Sequence, residues 1–218
     1  MLTESEENYL KAIYKLGEVH NGVITTKEIA DRVNTKPSSV SDMLKKLADK
    51  KYINYEKYQH ISLTKNGEKL ALKIIRKHRL WEVFLVEKLG FGWDEIHPIA
   101  EELEHIQSDE LVDRLDNFLG NPQYDPHGDP IPSAAGKMNP VKLKKLSEIN
   151  AGETVIMTGV ADHSTAFLKH LNKLGVSLST KIKVKDTNSF DRSMSIAVEG
   201  GKPQFISYEV AKNLLVTG

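Results

Sequence analysis

The sequence contains no cysteine among its 218 residues. This absence excludes disulfide bonds, zinc sites built on thiolates and cysteine-based catalysis, and it is compatible with a reducing compartment. The sequence also lacks an N-terminal apolar run of the signal-peptide type, and nowhere do 18 apolar residues follow one another. We therefore expect a cytoplasmic protein with no membrane-spanning helix.

The sequence has no excess of charge of either sign, since 30 basic residues balance 30 acidic ones. At 39% hydrophobic residues the chain has an ordinary globular composition, and its length suits one large domain or two to three small ones. The neutral total hides two segments of opposite charge. Residues 36–57 hold six lysines and three acids, whereas residues 94–116 hold nine acids and one arginine. The first segment is suited to an anionic partner and the second to cations.

The N-terminal third has the pattern of a winged helix-turn-helix. Residues 4–19 keep helical apolar spacing, a second helix starts near Thr25, and a third over residues 37–50 begins with Pro37, a residue suited to the first helical position. The alternation of apolar and polar residues over 52–64 then predicts a β-hairpin. A plain three-helix bundle with solubilising lysines is the alternative. The order of helix, turn, basic helix and hairpin favours the winged fold.

The exposed face of the third helix and the hairpin would meet DNA in a winged domain. Side chains at the start of the helix would contact base edges or nearby phosphates, and later lysines the backbone. An acid at position 42 would either accept from a cytosine amine or point away from the phosphates. The candidate DNA-binding residues are Lys36, Pro37, Ser38, Ser39, Ser41, Asp42, Lys45, Lys46, Lys57 and Tyr58.

Two predicted helices carry histidine and carboxylate at metal-ligand spacing. In residues 70–89, His78 and Glu82 lie four apart within an otherwise apolar seam. A helix over Trp93–Asp109 would bring a second group onto roughly one face, namely His97, Glu101, Glu104 and His105. Imidazole with carboxylate and no thiolate suits Mn, Fe, Co, Ni or Zn. A solvated acidic helix beside a buried His–Glu hydrogen bond is the alternative. The two helices considered together favour metal binding.

The second half of the chain changes character twice. A further helical piece is expected over residues 110–119. Residues 120–140 then contain five of the eight prolines, which is a linker composition, and they include Asp125 and His127. From about Val141 short β-type runs surround a helix near 164–174, which predicts a small barrel-like β domain. Asp162 and His163 stand where a helix N-cap is expected.

With these residues assembled, the chain resembles the diphtheria toxin repressor and manganese transport regulator family of metal-dependent transcriptional repressors. The resemblance covers all three regions of the chain. Its motifs are ENYLKAIY at residues 7–14, PSSVS at 37–41, RKHRL at 76–80 with Glu82, EHIQSDE at 104–110 and PHGDPIP at 126–132. It implies a mainly α protein with a β-rich C-terminal part. The implied domains are a winged helix-turn-helix (1–72), a helical dimerisation and metal-binding domain with a Pro-rich linker (73–140) and an SH3-like, FeoA-like domain (141–218).

The resemblance also implies a function. The chain would be a homodimer that binds double-stranded operator DNA when metallated and controls metal-uptake genes, with no membrane, small-molecule substrate or enzymatic activity. By position, the implied ligands are Asn8, His78, Glu82, His97, Glu101, Glu104, His105, Asp125, His127 and Asp162, with His163 competing with Asp162. Glu at position 101, where iron-responsive members have Cys, favours Mn(II) over Fe(II), with Zn, Co or Ni as substitutes in vitro.

Three alternatives remain at this stage. An iron-responsive repressor of the same family would use the same ligands. A metal-dependent hydrolase would use them around an open metal, but the sequence has no HExxH-type motif and the helix-turn-helix would have no role. A metal-independent DNA-binding regulator would use the acidic helix only to dimerise.

Overall fold

The computed structural model of the protein describes residues 2–19, 24–55, 60–138 and 143–217. The chain divides into two compact units, each discontinuous in sequence. The first consists of Met1–His78, Glu101–Arg114 and Pro132–Met138, and the second of Arg79–Ala100, Leu115–Ile131 and Asn139–Gly218. No helix within the described ranges is both long and apolar enough to cross a membrane.

The first unit opens with three helices and a two-stranded antiparallel sheet. They are α1 (Glu4–Val19), α2 (Thr26–Arg32), α3 (Pro37–Asp49), β1 (Ile53–Asn54) and β2 (Ser62–Leu63). A capping box begins α2, because the Thr25 hydroxyl accepts from the Glu28 backbone N–H while the Glu28 carboxylate accepts from that of Thr25. Pro37 stands in the first turn of α3. This order of elements confirms the predicted winged helix-turn-helix.

The apolar faces of these helices meet in one core. Leu10 and Ile13 of α1, Ile29 of α2, and Leu44 and Leu47 of α3 are almost completely buried there. Each such side chain contributes about 1.5–3 kcal/mol relative to exposure. The inward face of α3 is thereby fixed, and its polar face stays at the surface.

The first turn of α4 (Lys65–Glu87) lies directly against the chain that leads into β1. A Cβ added to Gly67 would come within 1.9 Å of the carbonyl oxygen of Tyr52. The backbone N–H of Thr64 donates to the same oxygen at 2.9 Å, and its hydroxyl donates to the carbonyl of Lys51 at 2.8 Å. Backbone therefore touches backbone at this junction, which only glycine permits.

Two further helices follow, α5 (Ile96–Leu103) and α6 (Asp109–Phe118). The prediction of one helix over Trp93–Asp109 is wrong in extent, because α5 starts three residues later and ends before Glu104 and His105, which lie in a turn. Pro98 explains the late start. It has no N–H to pair with the carbonyl of Asp94, so it is tolerated only in the first turn of a helix.

The second unit contains a six-stranded antiparallel sheet in the order β3-β8-β4-β5-β6-β7. The strands are β3 (Lys144–Lys145), β4 (Thr154–Val160), β5 (Lys181–Thr187), β6 (Met194–Val198), β7 (Pro203–Ile206) and β8 (Leu214–Thr217), with α7 (Thr165–Leu174) and α8 (Tyr208–Lys212) between them. Alternate residues of β4 and β5 point inward, and Met157, Ile182 and Val184 have no exposed surface. The β-rich C-terminal part was therefore correctly predicted.

The N-cap of α7 corrects a local expectation. The cap is Ser164, whose hydroxyl accepts from the backbone N–H of Phe167, and neither Asp162 nor His163 caps the helix. Asp162 instead accepts from the N–H of Ser164 in a tight turn just before the helix. A carboxylate two residues before the cap residue accepts from the N–H of that residue rather than from an N–H of the helix.

Candidate metal centres and nucleic-acid interface

A buried carboxylate organises the candidate site of the first unit. The side chain of Glu104 has no exposed surface. Its two oxygens lie 2.6 and 2.7 Å from the ammonium of Lys11, which also contacts Glu101 Oε1 at 2.7 Å. A buried unpaired carboxylate is costly, so the charge of Glu104 is stable only with a cation beside it.

His78 of α4 completes this group. Its Nδ1 lies 2.6 Å from Oε2 of Glu104 and 3.9 Å from Oε1 of Glu101, and the residue is 5% exposed. The structure therefore brings together three of the predicted ligands, His78, Glu101 and Glu104. One imidazole and two carboxylates form a donor set that divalent Mn or Fe accepts.

Asn8 supplies an independent sign that this region can hold a metal. Its side-chain oxygen is buried and has no hydrogen-bond partner among the described residues. Asn8 stands three residues before Lys11 on α1, so the two side chains are neighbours on the helix surface. Buried polar atoms are normally hydrogen-bonded, and an exception marks a place for an ion or a water molecule. The amide oxygen is therefore a fitting additional donor for a dication.

His105, another predicted ligand, is held by a residue that the sequence did not single out. Its Nδ1 lies 2.6 Å from a carboxylate oxygen of Glu7, whose other oxygen accepts from the side-chain amide of Gln107 at 3.0 Å. A carboxylate on one ring nitrogen fixes the orientation of an imidazole and raises its basicity. Lys77 is a further neighbour, 4.0 Å from Glu7, and its burial lowers the pKa of its ammonium. Glu7 is marked in the sequence only by its place beside Asn8.

A second cluster lies within the second unit. Glu82, Asp125 and His127 are all buried, and each offers one ligand atom within 4.8 Å of the others. His97 Nδ1 lies 3.4 Å from Oε1 of Glu82. Positions 125 and 127 stand in a stretch of linker composition, and both are nevertheless at most 3% exposed. Four predicted ligands thus come together here.

In the second cluster, the pKa values of two buried groups, Asp125 and His127, are raised. Burial raises the pKa of Asp125 to about 7, and the nearby Glu82 carboxylate acts in the same direction. Burial alone would lower the pKa of His127, but the Glu82 carboxylate, 3.7 Å from Nδ1, and the charge of Asp125 raise it to about 9. A cation bound to these groups would take the place of their protons.

The loop that carries this cluster is fixed at several points. Asp125 Oδ1 accepts from the backbone N–H groups of His127, at 2.8 Å, and Asp129, at 3.0 Å. Arg79 donates to Asp129 at 2.9 Å. Gly128 has φ +87°, and a Cβ there would come within 2.0 Å of the carbonyl oxygen of Thr158 on β4. The loop therefore fits against the sheet only because position 128 is glycine.

His127 is further oriented by its aromatic neighbours. Its Nε2–H donates to the carbonyl oxygen of Trp93 at 2.8 Å, which leaves Nδ1 facing Glu82. The ring stacks on that of His163 with centroids 4.9 Å apart. Of the two competing candidates near α7, His163 is thus in contact with the cluster. The carboxylate of Asp162 is used in its turn and does not belong to the three-residue group.

The predicted DNA-contacting residues of α3 lie at the surface. Lys36, Pro37, Ser38 and Ser39 are exposed at the start of the helix. Ser41 is partly buried, and its hydroxyl donates to the carbonyl of Pro37. Lys57 and Tyr58 lie outside the described residues.

Three charged side chains along the rest of α3 are paired, namely Asp42, Lys45 and Lys46. Asp42 is 3.4 Å from Lys45, so its charge is partly offset on the helix itself. Lys46 and Lys50 pair with Glu6 of α1 at 3.2 and 2.6 Å, and Glu6 is fully buried. The start of α3 and Lys45 are therefore the part of the helix most open to a phosphate or base edge.

Three family models match the chain. The N-terminal DNA binding domain of iron dependent repressors matches residues 1–61, and their metal binding and dimerisation domain matches residues 64–133. The FeoA domain matches residues 144–218. The two clusters described above draw most of their ligand residues from the stretch matched by the metal binding and dimerisation domain.

Relatives and solved structures agree with these matches. The iron-dependent repressor IdeR of Mycobacterium tuberculosis is 28% identical, over 96% of this chain and 95% of the relative. A solved manganese-dependent transcriptional repressor in complex with manganese is 33% identical with a TM-score of 0.86, covering 98% of this chain and 99% of that one. The structure of ScaR with bound Zn²⁺ is 35% identical with a TM-score of 0.76, covering 97% and 98%.

Proposed function

The chain belongs to the diphtheria toxin repressor and manganese transport regulator family, a family of metal-dependent transcriptional repressors, and from this premise we propose that it responds to Mn(II) and controls genes of metal uptake. Its relatives are transcriptional repressors and not enzymes, which agrees with the expectation of a non-enzyme and removes the hydrolase alternative. Operator DNA and a second copy of the chain are its partners.

The donor set of the first unit is the observation that carries the choice of metal. His78, Glu101 and Glu104 lie together, and the amide oxygen of Asn8 on α1 has no hydrogen-bond partner in the part of the chain that the structure describes. Two carboxylates and an amide oxygen are hard donors, and no thiolate exists anywhere in the sequence. Hard oxygen-rich sets favour Mn(II) over softer ions. We assign His105 to the same site, oriented by Glu7.

We assign the second site to Glu82, His97, Asp125 and His127. All four belong to the second unit, and Asp125 and His127 are fixed by the hydrogen bonds of the loop around Gly128. His163 is the preferred neighbour from the β-rich domain because its ring stacks on His127. Asp162 is the less favoured candidate because its carboxylate is held by the N–H of Ser164.

The proposed mechanism acts through α1. Asn8 of α1, His78 of α4 and Glu101 of α5 would hold the dication together with Glu104, and the ion would supply positive charge to the two carboxylates. The same helix carries Glu6, whose buried carboxylate binds Lys46 of α3 and Lys50, the residue that directly follows α3. Residues of α1 therefore connect the metal donors to α3, the helix whose exposed face would contact DNA. In a dimer, the position of the two α3 helices decides whether they match successive half-sites.

The test is operator affinity with and without metal. DNA from promoters of metal-uptake genes is titrated with the protein at fixed ionic strength, in metal-free buffer, with Mn(II), and anaerobically with Fe(II). We expect DNA binding to tighten at least tenfold with Mn(II) and by less with Fe(II), because metal and operator would favour the same state of the protein. The fixed ionic strength keeps the salt-dependent part of DNA binding constant. Equal affinity in all three conditions would contradict a metal switch. A larger response to Fe(II) would assign the protein to the iron-responsive members.

A double variant serves as the matched control. Replacing Glu104 and His105 by alanine removes one ligand from the acidic group and the ligand held by Glu7. We expect this variant to lose the response to Mn(II) and to keep the weak metal-free affinity. An unchanged response would instead support a metal-independent regulator in which the acidic segment only dimerises.

A further inference from the structure

The ammonium of Lys11 occupies the centre of the acidic group in the first unit. It lies 2.6 and 2.7 Å from the two oxygens of Glu104 and 2.7 Å from Glu101 Oε1. We infer that Lys11 is the resident cation of this site and that a metal ion binds only by displacing it. This inference rests on the proposed function, because it concerns how the same site exchanges one cation for another.

Burial explains why the site needs a resident cation. Glu104 has no exposed side-chain surface, and the side chain of Lys11 is 9% exposed. A carboxylate in such surroundings is destabilised unless a positive charge lies against it. Lys11 provides that charge from within the chain, so the buried carboxylate of Glu104 has a cationic partner without metal. An ammonium at hydrogen-bond distance from these oxygens leaves no room for an ion on the same three atoms.

Asn8 makes the displacement a change of partner for α1. While Lys11 holds the carboxylates, the side-chain oxygen of Asn8 is buried without a hydrogen-bond partner among the described residues. When Lys11 leaves, the oxygen of Asn8 is the donor that α1 still offers to the site. The helix therefore has two ways of attachment, through Lys11 in the metal-free state and through Asn8 in the loaded state.

A consequence for sensitivity follows. The metal must compete with a cation that is covalently part of the protein and present at fixed effective concentration. Lys11 thus weakens metal affinity below what the same donors would give alone, and it sets the metal concentration at which the protein responds. Lys11 is in this sense a residue that determines the response threshold, although it is not itself a ligand.

The first experiment compares full-length K11M with wild type by Mn(II) titration in metal-free buffer. Methionine keeps the length of the side chain and removes its charge. We expect Mn(II) to bind at least tenfold more tightly, since binding to K11M no longer has to break the contacts of an ammonium with the carboxylates of Glu101 and Glu104. We also expect a lower metal-free Tm. K73M is the matched control, because Lys73 forms an exposed ion pair with Asp109 at 2.9 Å.

The outcomes separate the inference from the proposed function. If K11M is folded and binds Mn(II) no more tightly than wild type, while E104Q weakens binding, the inference is wrong and the site stands. If E104Q binds Mn(II) as tightly as the wild-type protein does, the proposed function itself fails. The Mn(II) affinity of K73M should stay within twofold of that of wild type. If it increased as much as that of K11M, the effect would come from the change in net charge and the inference would be wrong.

A second measurement does not depend on the folding of a variant. Lys11 of the wild-type protein is 7% exposed in this structure. Amine-reactive labelling followed by peptide mass spectrometry reports how accessible its ammonium is. We expect labelling of Lys11 to rise severalfold when Mn(II) is added, with labelling of Lys73 unchanged. Labelling of Lys11 that stays low in the loaded protein would overturn the displacement.

Discussion

The carboxylate of Glu6 lies 2.6 Å from the ammonium of Lys50, and the side chain of Glu6 has no exposed surface. Burial alone would raise the pKa of Glu6, but the hydrogen bond from Lys50, assisted by the Thr3 backbone N–H and by Lys46, lowers it to about 2. The ion pair joins the start of α1 to the C-terminal end of α3, where Lys50 is the cap residue. Its stability therefore depends on pH in a way that can be measured.

The first prediction concerns acid stability. A carboxyl group whose pKa is lowered on folding stabilises the protein fully above its unfolded value of 4.5, and this contribution is lost as the pH falls towards about 2. A shift of this size corresponds to roughly 3 kcal/mol. E6Q should lower the free energy of unfolding at pH 7 and flatten its decline between pH 5 and 3, as followed by denaturant titration. E4Q, at an exposed position of the same helix turn, should behave as wild type.

The second prediction concerns the loop of the second cluster. G128A should destabilise the second unit by about 2–4 kcal/mol, because alanine is strained at φ +87° and its Cβ would overlap the Thr158 carbonyl. Metal binding by Asp125 and His127 should fall with it. G152A is the control, since Gly152 also has positive φ (+93°) but nothing lies within 4 Å of an added Cβ. A loss equal to that of G152A would show that strain alone, and not the contact with β4, matters.

The third prediction concerns proton release at the second cluster. Asp125 and His127 have pKa values raised to about 7 and about 9, so both hold protons near neutral pH that a bound cation must replace. Metal affinity at this site should therefore increase as the pH rises from 6 to 9. Calorimetry in buffers of different ionisation enthalpy measures the protons released. H127A should reduce that number, whereas H170A, at an exposed position of α7, should not.

The fourth prediction concerns the exposed face of α3. Lys45 is exposed, and its ammonium lies 3.4 Å from a carboxylate oxygen of Asp42, which is also exposed. K45A should weaken DNA binding by a similar factor for every sequence and reduce the slope of log affinity against log salt by about one. Fluorescence anisotropy over a range of salt concentrations measures both. K202A, in the exposed turn before β7, should leave the slope unchanged; a change of base preference in K45A would point to base contact instead.

Local patterns in the sequence predicted what depends on neighbouring residues. Pro37 marked the start of α3, and the helix expected near 164–174 matches α7 to within one residue. The arrangement around Lys11 was not predictable in this way. Its contacts with Glu101 and Glu104 join residues 90 and 93 positions apart, and helical periodicity gives the face of a side chain but not its partner. The burial of Asp125 and His127 was not predictable either, since proline content does not reveal that a loop is covered.

The backbone contact between Gly67 and Tyr52 has a mechanical consequence. At Gly67 the first turn of α4 packs directly on the carbonyl of Tyr52, the residue before β1, so no side chain of position 67 separates the two segments there. A rotation of that turn would therefore move β1 with it. A hinge for DNA release must accordingly lie elsewhere in the chain than at this joint.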